Sequence, residues 1–421
     1  MNSGITTGML DAATLALQKI LRFDQAADTL LSAFFRERRQ LGGRERGFVA
    51  ETVYAVLRRR RLLEYLLAAE VTPRHLVLAA LTRIAGRSQR QLAAAITSAE
   101  GEWLAAWRSR AEPDLPFAVQ TDFPDWLLTR LLVHSDEQQV MQLARGLNQS
   151  APLDLRVNTL SAQRAQILAQ LASEGIAAQA CPYSPLGVRL GEKPALQRHP
   201  LFLSGAIEVQ DEGSQLLGFL LGPRRGEVVV DFCAGAGGKT LLLGAMMRST
   251  GRLYAFDVAE KRLAKMKPRL ARAGLSNVHT VRISGENDTH VKRLAGKVDR
   301  VLVDAPCSGL GTLRRNPDLK WRQTESSVEE LTRKQADILA AASRMVKPGG
   351  RLVYATCSIL REENEAIIER FSDAHPQFKP LSARAVLAEQ GIEIDCGEAM
   401  HLYPHVHGCD GFFAQVMEKS Q

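Results

Sequence analysis

The sequence predicts an α/β protein: a mostly parallel sheet covered by helices on both faces, preceded by an all-α domain and a small α/β module. Three observations carry this. Beyond Asp231, short apolar runs that read as strands alternate with helical stretches. The run Glu227-Val228-Val229-Val230 leads through DFCAGAGGKT into Leu241-Leu242-Leu243-Gly244-Ala245-Met246-Met247, the strand, glycine turn and helix of nucleotide-binding folds. Ahead of residue 145, apolar residues recur at helical spacing instead. The expected division is a helical domain over 1–145, a small α/β module over 146–205 and the sheet domain over 206–421.

In the first domain, Ala12 to Leu21, Ala26 to Phe35, Gly47 to Leu57 and Leu62 to Ala69 read as helices, with Gly42-Gly43, Pro73 and Pro113 as breaks. Arg58-Arg59-Arg60-Arg61 sweeps about 300° of a helix and cannot form one face. Two readings stand: a solvated helix end with snorkelling stems, or a phosphate-contacting patch helped by Arg36, Arg38, Arg39, Arg44 and Arg46. In the module, LDLRVNTL and Gly187 to Leu190 read as strands around a helix from Ala162 to Glu174. In the sheet domain, three further strands end at Asp257, at Asp304 and at Thr356-Cys357, the last preceded by a helix closing on Lys347-Pro348-Gly349-Gly350. In such a sheet, ligands bind at the carboxyl ends of the strands.

The composition narrows the class. No run of eighteen apolar residues appears, so no membrane span is expected. The first residues, MNSGITTGML, lack the zones of a signal peptide. Six scattered cysteines make no disulfide framework and fit thiols in a reducing cytoplasm. A net charge of +8 and pI near 9.3 favour a polyanionic partner.

The glycine loop has two readings. Gly238-Lys239-Thr240 supplies the second half of a Walker A loop, and Asp304 could pass for a magnesium-holding aspartate, so a nucleoside triphosphatase is a competitor. The first Walker glycine, however, would fall at Cys233. Asp257 closes the next strand twenty residues after Gly237, where a carboxylate binds ribose hydroxyls. Gly235, Gly237 and Gly238 still permit close backbone approach to a ligand without phosphates. S-adenosylmethionine, with a ribose and an amino-acid end, fits.

Cys307, in Asp304-Ala305-Pro306-Cys307-Ser308, and Cys357, in Ala355-Thr356-Cys357-Ser358, each lie just beyond a predicted strand on that rim. Such a pair suits methylation of a pyrimidine carbon. A thiolate adding to carbon 6 of cytosine turns carbon 5 into a nucleophile. A carboxyl group near nitrogen 3 steadies the developing charge, and a base then removes the carbon 5 proton. The target base must be unstacked to reach them, which favours single-stranded or flipped RNA.

These stretches, with DAPCSGLGTLRRNPDLKW, YATCS-ILREENE and the terminal DGFFAQVM, resemble the RsmB/NOP/Sun family of RNA cytosine-5 methyltransferases. The specific motifs cover the chain from about Val209 onward, and the arginine-rich N-terminus resembles, more loosely, the NusB-like domain of the bacterial rRNA branch. The resemblance implies a Rossmann-like class I methyltransferase domain. It implies Cys357 as nucleophile, Cys307 as the group assisting release and Asp304 as the contact to cytosine. It also implies a cofactor site for S-adenosylmethionine from Cys233, Ala234, Gly235, Ala236, Gly237, Gly238, Lys239, Asp257 and Asp304. The chain departs from the family at Gly235-Ala236, where Ala-Pro is usual, which leaves a less rigid loop. It also departs at Ser284 to Asp288, where Glu286 best fits the place of an adenine-contacting aspartate.

His401, His405, His407 and Cys409 are spaced like metal ligands but lack a second cysteine pair, and no metal is expected. The reading is a cytoplasmic RNA methyltransferase, most simply acting on ribosomal RNA, and a monomer without a stable protein partner. A tRNA-directed enzyme of the same chemistry and a non-catalytic RNA-binding assembly factor are the alternatives, although a binder needs neither thiol.

Overall fold

A computed structural model describes residues 4–109 and 113–421. The chain forms two compact units, one of residues 1–150 with 312–324, the other of residues 151–311 with 325–421.

The first unit is helical. Thr7–Ile20, Ala27–Glu37, Gly43–Arg58 and Arg60–Leu67 turn their apolar faces into one core containing Leu10, Leu17, Phe34, Val53, Leu57 and Leu63. Local chemistry sets several starts. Thr6 accepts the Met9 N–H, and Thr72 caps a helix that has proline in its first turn. Residues 312–324 belong to this unit, although they lie in the sequence stretch expected for the sheet domain. They complete one end of each of two helices. Asp318 accepts the Ala27 N–H at 3.1 Å, at the start of a helix with no side-chain cap. At the end of Gly43–Arg58, Trp321 donates to the Leu57 carbonyl and Lys320 to that of Arg58, each at 2.8 Å. These are backbone groups a helix leaves unpaired.

The second unit holds two sheets. Strands β1 (Leu153–Val157), β2 (Ala178–Ala180), β3 (Gly187–Leu190) and β4 (Ile207–Val209) pair antiparallel in the order β2-β3-β1-β4. The larger sheet contains β5 (Val228–Asp231), β6 (Arg252–Asp257), β7 (Val278–Arg282), β8 (Val298–Asp304), β9 (Val346–Thr356), β10 (Phe378–Leu381), β11 (Met400–Leu402) and β12 (Phe412–Lys419). Its order is β10-β12-β9-β8-β5-β6-β7, with β11 beside β12. Strands β5 to β9 run parallel, whereas β12 is antiparallel to β9 and β10 to β12.

Neighbouring residues of a strand point to opposite faces, and here both faces are buried. Val229, Leu302 and Val353 join one core, while Val230, Val303 and Tyr354 join another on the other side. That accounts for the continuous apolar runs of the central strands. The Lys347-Pro348-Gly349-Gly350 stretch, expected to close a helix, is instead the start of β9, with a register irregularity against β8 between Val298 and Arg300.

Candidate active site

Because β5, β6, β8 and β9 are parallel neighbours, their carboxyl ends bring Asp231, Asp257, Asp304 and Thr356-Cys357 to one rim. The glycine loop follows β5 and opens the helix Gly238–Met246. Gly237 has φ +88°, and a Cβ there would lie 2.5 Å from the Met266 side chain, so only glycine fits. The loop's carbonyls are pinned from outside. Arg269 donates to the Ala236 carbonyl at 2.5 Å, and Arg156, fully buried on β1, donates to the Gly238 carbonyl at 2.8 Å and to Gln210. Burial lowers the Arg156 pKa to about 10. These two arginines hold the loop through the carbonyls on either side of Gly237. Neither was identified in the sequence, because arginines far apart in the chain give no local signal.

Asp257 is buried, and its two oxygens receive the Gly235 N–H at 2.8 Å and the Ala259 N–H at 2.7 Å. A carboxylate has about four acceptor sites, so further donors can still reach it. Lys239 pairs with Asp304 at 2.6 Å and lies 5.7 Å from the Phe412 ring. Burial opposes charge on Lys239, but Asp304 prevails and the pKa is raised. Burial pushes the Cys233 thiol up as well. Glu286 is half-buried in the turn after β7. Its neighbour Asp288 is spent on that turn and on the helix start after it, accepting from Ser284 and His290.

Between Gln210, Asp231, Cys233, Gly238, Lys239 and Asp304 lies a chamber of about 150 Å³. Asp231, absent from the sequence-predicted site, is its most unusual wall. It is fully buried, one oxygen accepts the Thr240 hydroxyl at 2.6 Å, and the other has no partner. Burial first, with Asp304 and Asp257 nearby, raises its pKa to about 7. An orphaned buried carboxylate oxygen fits the ammonium of an amino-acid end.

Cys307 and Cys357 meet across the gap between β8 and β9, their sulfurs 3.3 Å apart and both half-buried. The Cys357 thiol, then burial, holds the Cys307 pKa well above its ordinary value.

The arginine run is resolved differently from either reading. Arg58 donates to the Arg314 carbonyl, Arg59 pairs with buried Asp122 at 2.8 Å, Arg60 with Glu64 at 2.6 Å, and Arg61 with Asp125 at 2.7 Å and the Phe123 carbonyl. These side chains bind the helical unit together. A separate concavity of about 380 Å³ is lined by Ser32, Phe35, Arg36, Arg39 and Arg46. Of the histidine segment, His401 pairs with Glu365 at 2.8 Å, and His407 accepts the Tyr403 N–H and meets the Asp395 carbonyl. Among the described residues, the one cluster of three metal-capable side chains, Asp154, Cys181 and Glu212, already has Arg189 bound to both carboxylates.

Comparison with known proteins bears on this rim. The family profile described as 16S rRNA methyltransferase RsmB/F matches residues 218–418, and a ferredoxin-like domain of RsmF/B-like methyltransferases matches residues 123–197. The chain is 30% identical, over 98% of its length and 99% of the other's, to the probable ribosomal RNA small subunit methyltransferase B of Bacillus subtilis. The chain belongs to the RsmB/F family. Within it, the probable ribosomal RNA small subunit methyltransferase B of Synechocystis is 36% identical over 72% of this chain and 68% of that protein. The crystal structure of a methyltransferase homolog from Pyrococcus horikoshii superposes with a TM-score of 0.62 at 30% identity, covering 73% of this chain and 100% of that one. This RsmB/F chain is thus an RNA methyltransferase with a Rossmann-like methyltransferase fold.

Proposed function

We propose that this protein methylates carbon 5 of a cytosine in ribosomal RNA, using S-adenosylmethionine and a covalent cysteine adduct. The observation that carries the proposal is the pair of sulfurs 3.3 Å apart beside Asp304, at the ends of adjacent parallel strands. The small-subunit rRNA named for its relatives supports the substrate class.

S-adenosylmethionine supplies an electrophilic methyl group when bound. Asp231 and the glycine loop would hold its amino-acid end, Asp257 its ribose and Glu286 its adenine. Cys357 adds as thiolate to carbon 6 of the cytosine, forming a carbon–sulfur bond and moving electron density to carbon 5. Asp304, steadied by Lys239, meets the polar edge of the ring where charge develops. Cys307 works after methyl transfer. A base, with Cys307 assisting, takes the proton from carbon 5, the electron pair of the carbon–hydrogen bond re-forms the 5,6 double bond, and the carbon–sulfur bond breaks to release Cys357 as thiolate. Bisulfite sequencing of ribosomal RNA from cells with and without the gene tests the reaction. The expected result is one cytosine protected only when the gene is present, and an unchanged rRNA pattern would refute the proposal.

A further inference from the structure

We propose that Glu363 is a positioning residue that clamps the Cys307 and Cys357 loops in one register so that their thiols face each other. The proposal rests on reading both cysteines as reacting groups. The two loops follow different strands, and each cysteine is followed directly by a buried serine. Glu363, itself fully buried, joins them. Its Oε1 accepts the Ser308 N–H at 2.8 Å and Gln335 Nε2 at 2.9 Å, while Oε2 accepts the Ser308 hydroxyl at 2.5 Å and the Ser358 hydroxyl. Gln335 also donates to the Pro306 carbonyl at 2.9 Å, and the Glu363 carbonyl accepts the Tyr354 hydroxyl at 2.6 Å. One carboxylate therefore ties residues flanking Cys307 to the residue after Cys357.

Four donors converging on two oxygens demand a carboxylate. Glutamine offers one acceptor oxygen and an NH2 that donates, so it matches the volume but breaks one side of the clamp. Misplacing a reacting group by about 1 Å costs on the order of a hundredfold in rate. A shared acceptor is an economical way to hold two sulfurs to that tolerance.

The test compares the full-length wild type with Glu363→Gln, Ser358→Ala and Ser308→Ala. Phenylarsine oxide reports thiol geometry without RNA: its arsenic forms two As–S bonds with a facing pair of thiols and its oxygen leaves as water. Wild type should capture one equivalent, and Cys307→Ser should capture none tightly. Glu363→Gln and Ser358→Ala should weaken capture and lower kcat, each by about 10- to 100-fold as hydrogen bonds to the shared acceptor are lost. The KM for S-adenosylmethionine should stay unchanged. If Glu363→Gln fails to fold, Ser358→Ala decides. Wild-type capture and turnover in a well-folded Glu363→Gln or Ser358→Ala would overturn the clamp. Methylation by Cys357→Ser would overturn the reading of the thiols instead, and arsenical capture would then decide the clamp alone.

Discussion

At the proposed ammonium site, the orphaned oxygen of Asp231 should make affinity for S-adenosylmethionine depend on pH. Burial raises its pKa from an ordinary 3.8 to about 7. Below about pH 7 the carboxyl group is neutral in the free protein, and binding an ammonium group first requires the loss of that proton. The apparent Kd is the intrinsic value divided by the ionised fraction. It should therefore be raised about twofold at pH 7 and about elevenfold at pH 6, which makes binding about eightfold weaker at pH 6 than at pH 7.5. Above about pH 7.7 the ligand's own α-amine starts to lose its proton, so affinity should peak in the mid-sevens. Asp231→Asn keeps a partner for Thr240 and removes the charge. It should weaken binding by about 1.5–3 kcal/mol at pH 7.5, as for a lost hydrogen bond to a charged group, and it should flatten the acid limb. In the ligand-free protein the sign reverses. A raised carboxyl pKa means stability is full at low pH and is lost as pH rises through about 7. Asp231→Asn should remove that loss. Calorimetric titration with S-adenosylmethionine from pH 5.5 to 8.5, paired with thermal melts of the free protein, measures both. A wild-type Kd that is flat between pH 6 and 7.5, or an Asp231→Asn variant that keeps the acid limb, would refute the assignment of Asp231 to the ammonium site.

Cys357→Ser should abolish methylation and form no adduct, whereas Cys307→Ser should stall after methyl transfer and accumulate a protein–RNA adduct on denaturing gels. The reverse pattern exchanges the two roles, and full activity in both rejects the covalent mechanism. Replacing Arg36, Arg39 and Arg46 with glutamine should lower the salt slope of RNA binding by about 0.7–0.9 per lost phosphate contact without changing the melting temperature. Arg59→Gln, which removes the guanidinium paired with buried Asp122, should instead lower the melting temperature. Lys320 is fully buried, and burial lowers its pKa to about 7. The cost of charging it is full below about pH 7 and is relieved as pH rises toward 10.5, so the melting temperature should rise over that range. Lys320→Met should be less stable at every pH and should lose that rise.

The central strands were legible because they are buried on both faces: Val228 to Val230 and Val301 to Val303 are apolar runs closed by Asp231 and Asp304. Strand β7 was not, since Val-His-Thr-Val-Arg at a sheet edge is half-exposed and carries no strong period. Four helices of the first unit, Thr7–Ile20, Ala27–Glu37, Gly43–Arg58 and Arg60–Leu67, were legible to within about five residues at their ends, because amphipathic spacing survives without knowledge of partners. Completion of that unit by residues 312–324 was not. That stretch is joined to the helices by Asp318, Lys320 and Trp321, each meeting a backbone group about 260 or more positions away in sequence. The arginine run misled for the same reason. Charge is visible in a sequence, but Asp122 and Asp125, which pair with Arg59 and Arg61, lie more than sixty residues away.

At the rim, the sequence exposed the groups whose chemistry is rare and hid those whose chemistry depends on surroundings. Two cysteines after predicted strands stand out in any chain, and the structure does bring them into contact. Asp231 is an ordinary strand-end aspartate until its burial and its missing partner are known. Glu363 lies in the acidic stretch Glu362-Glu363, where one carboxylate resembles the next, yet only Glu363 is buried against both serines. The same logic explains Arg156 and Arg269. They secure the two carbonyls flanking Gly237, which restrains a loop otherwise rich in glycine. Rigidity of that loop is therefore a property of three elements, β1, the helix Glu260–Arg272 and the loop itself. A substitution of Arg156 on β1, far from the loop in sequence, therefore removes a hydrogen bond that holds the loop.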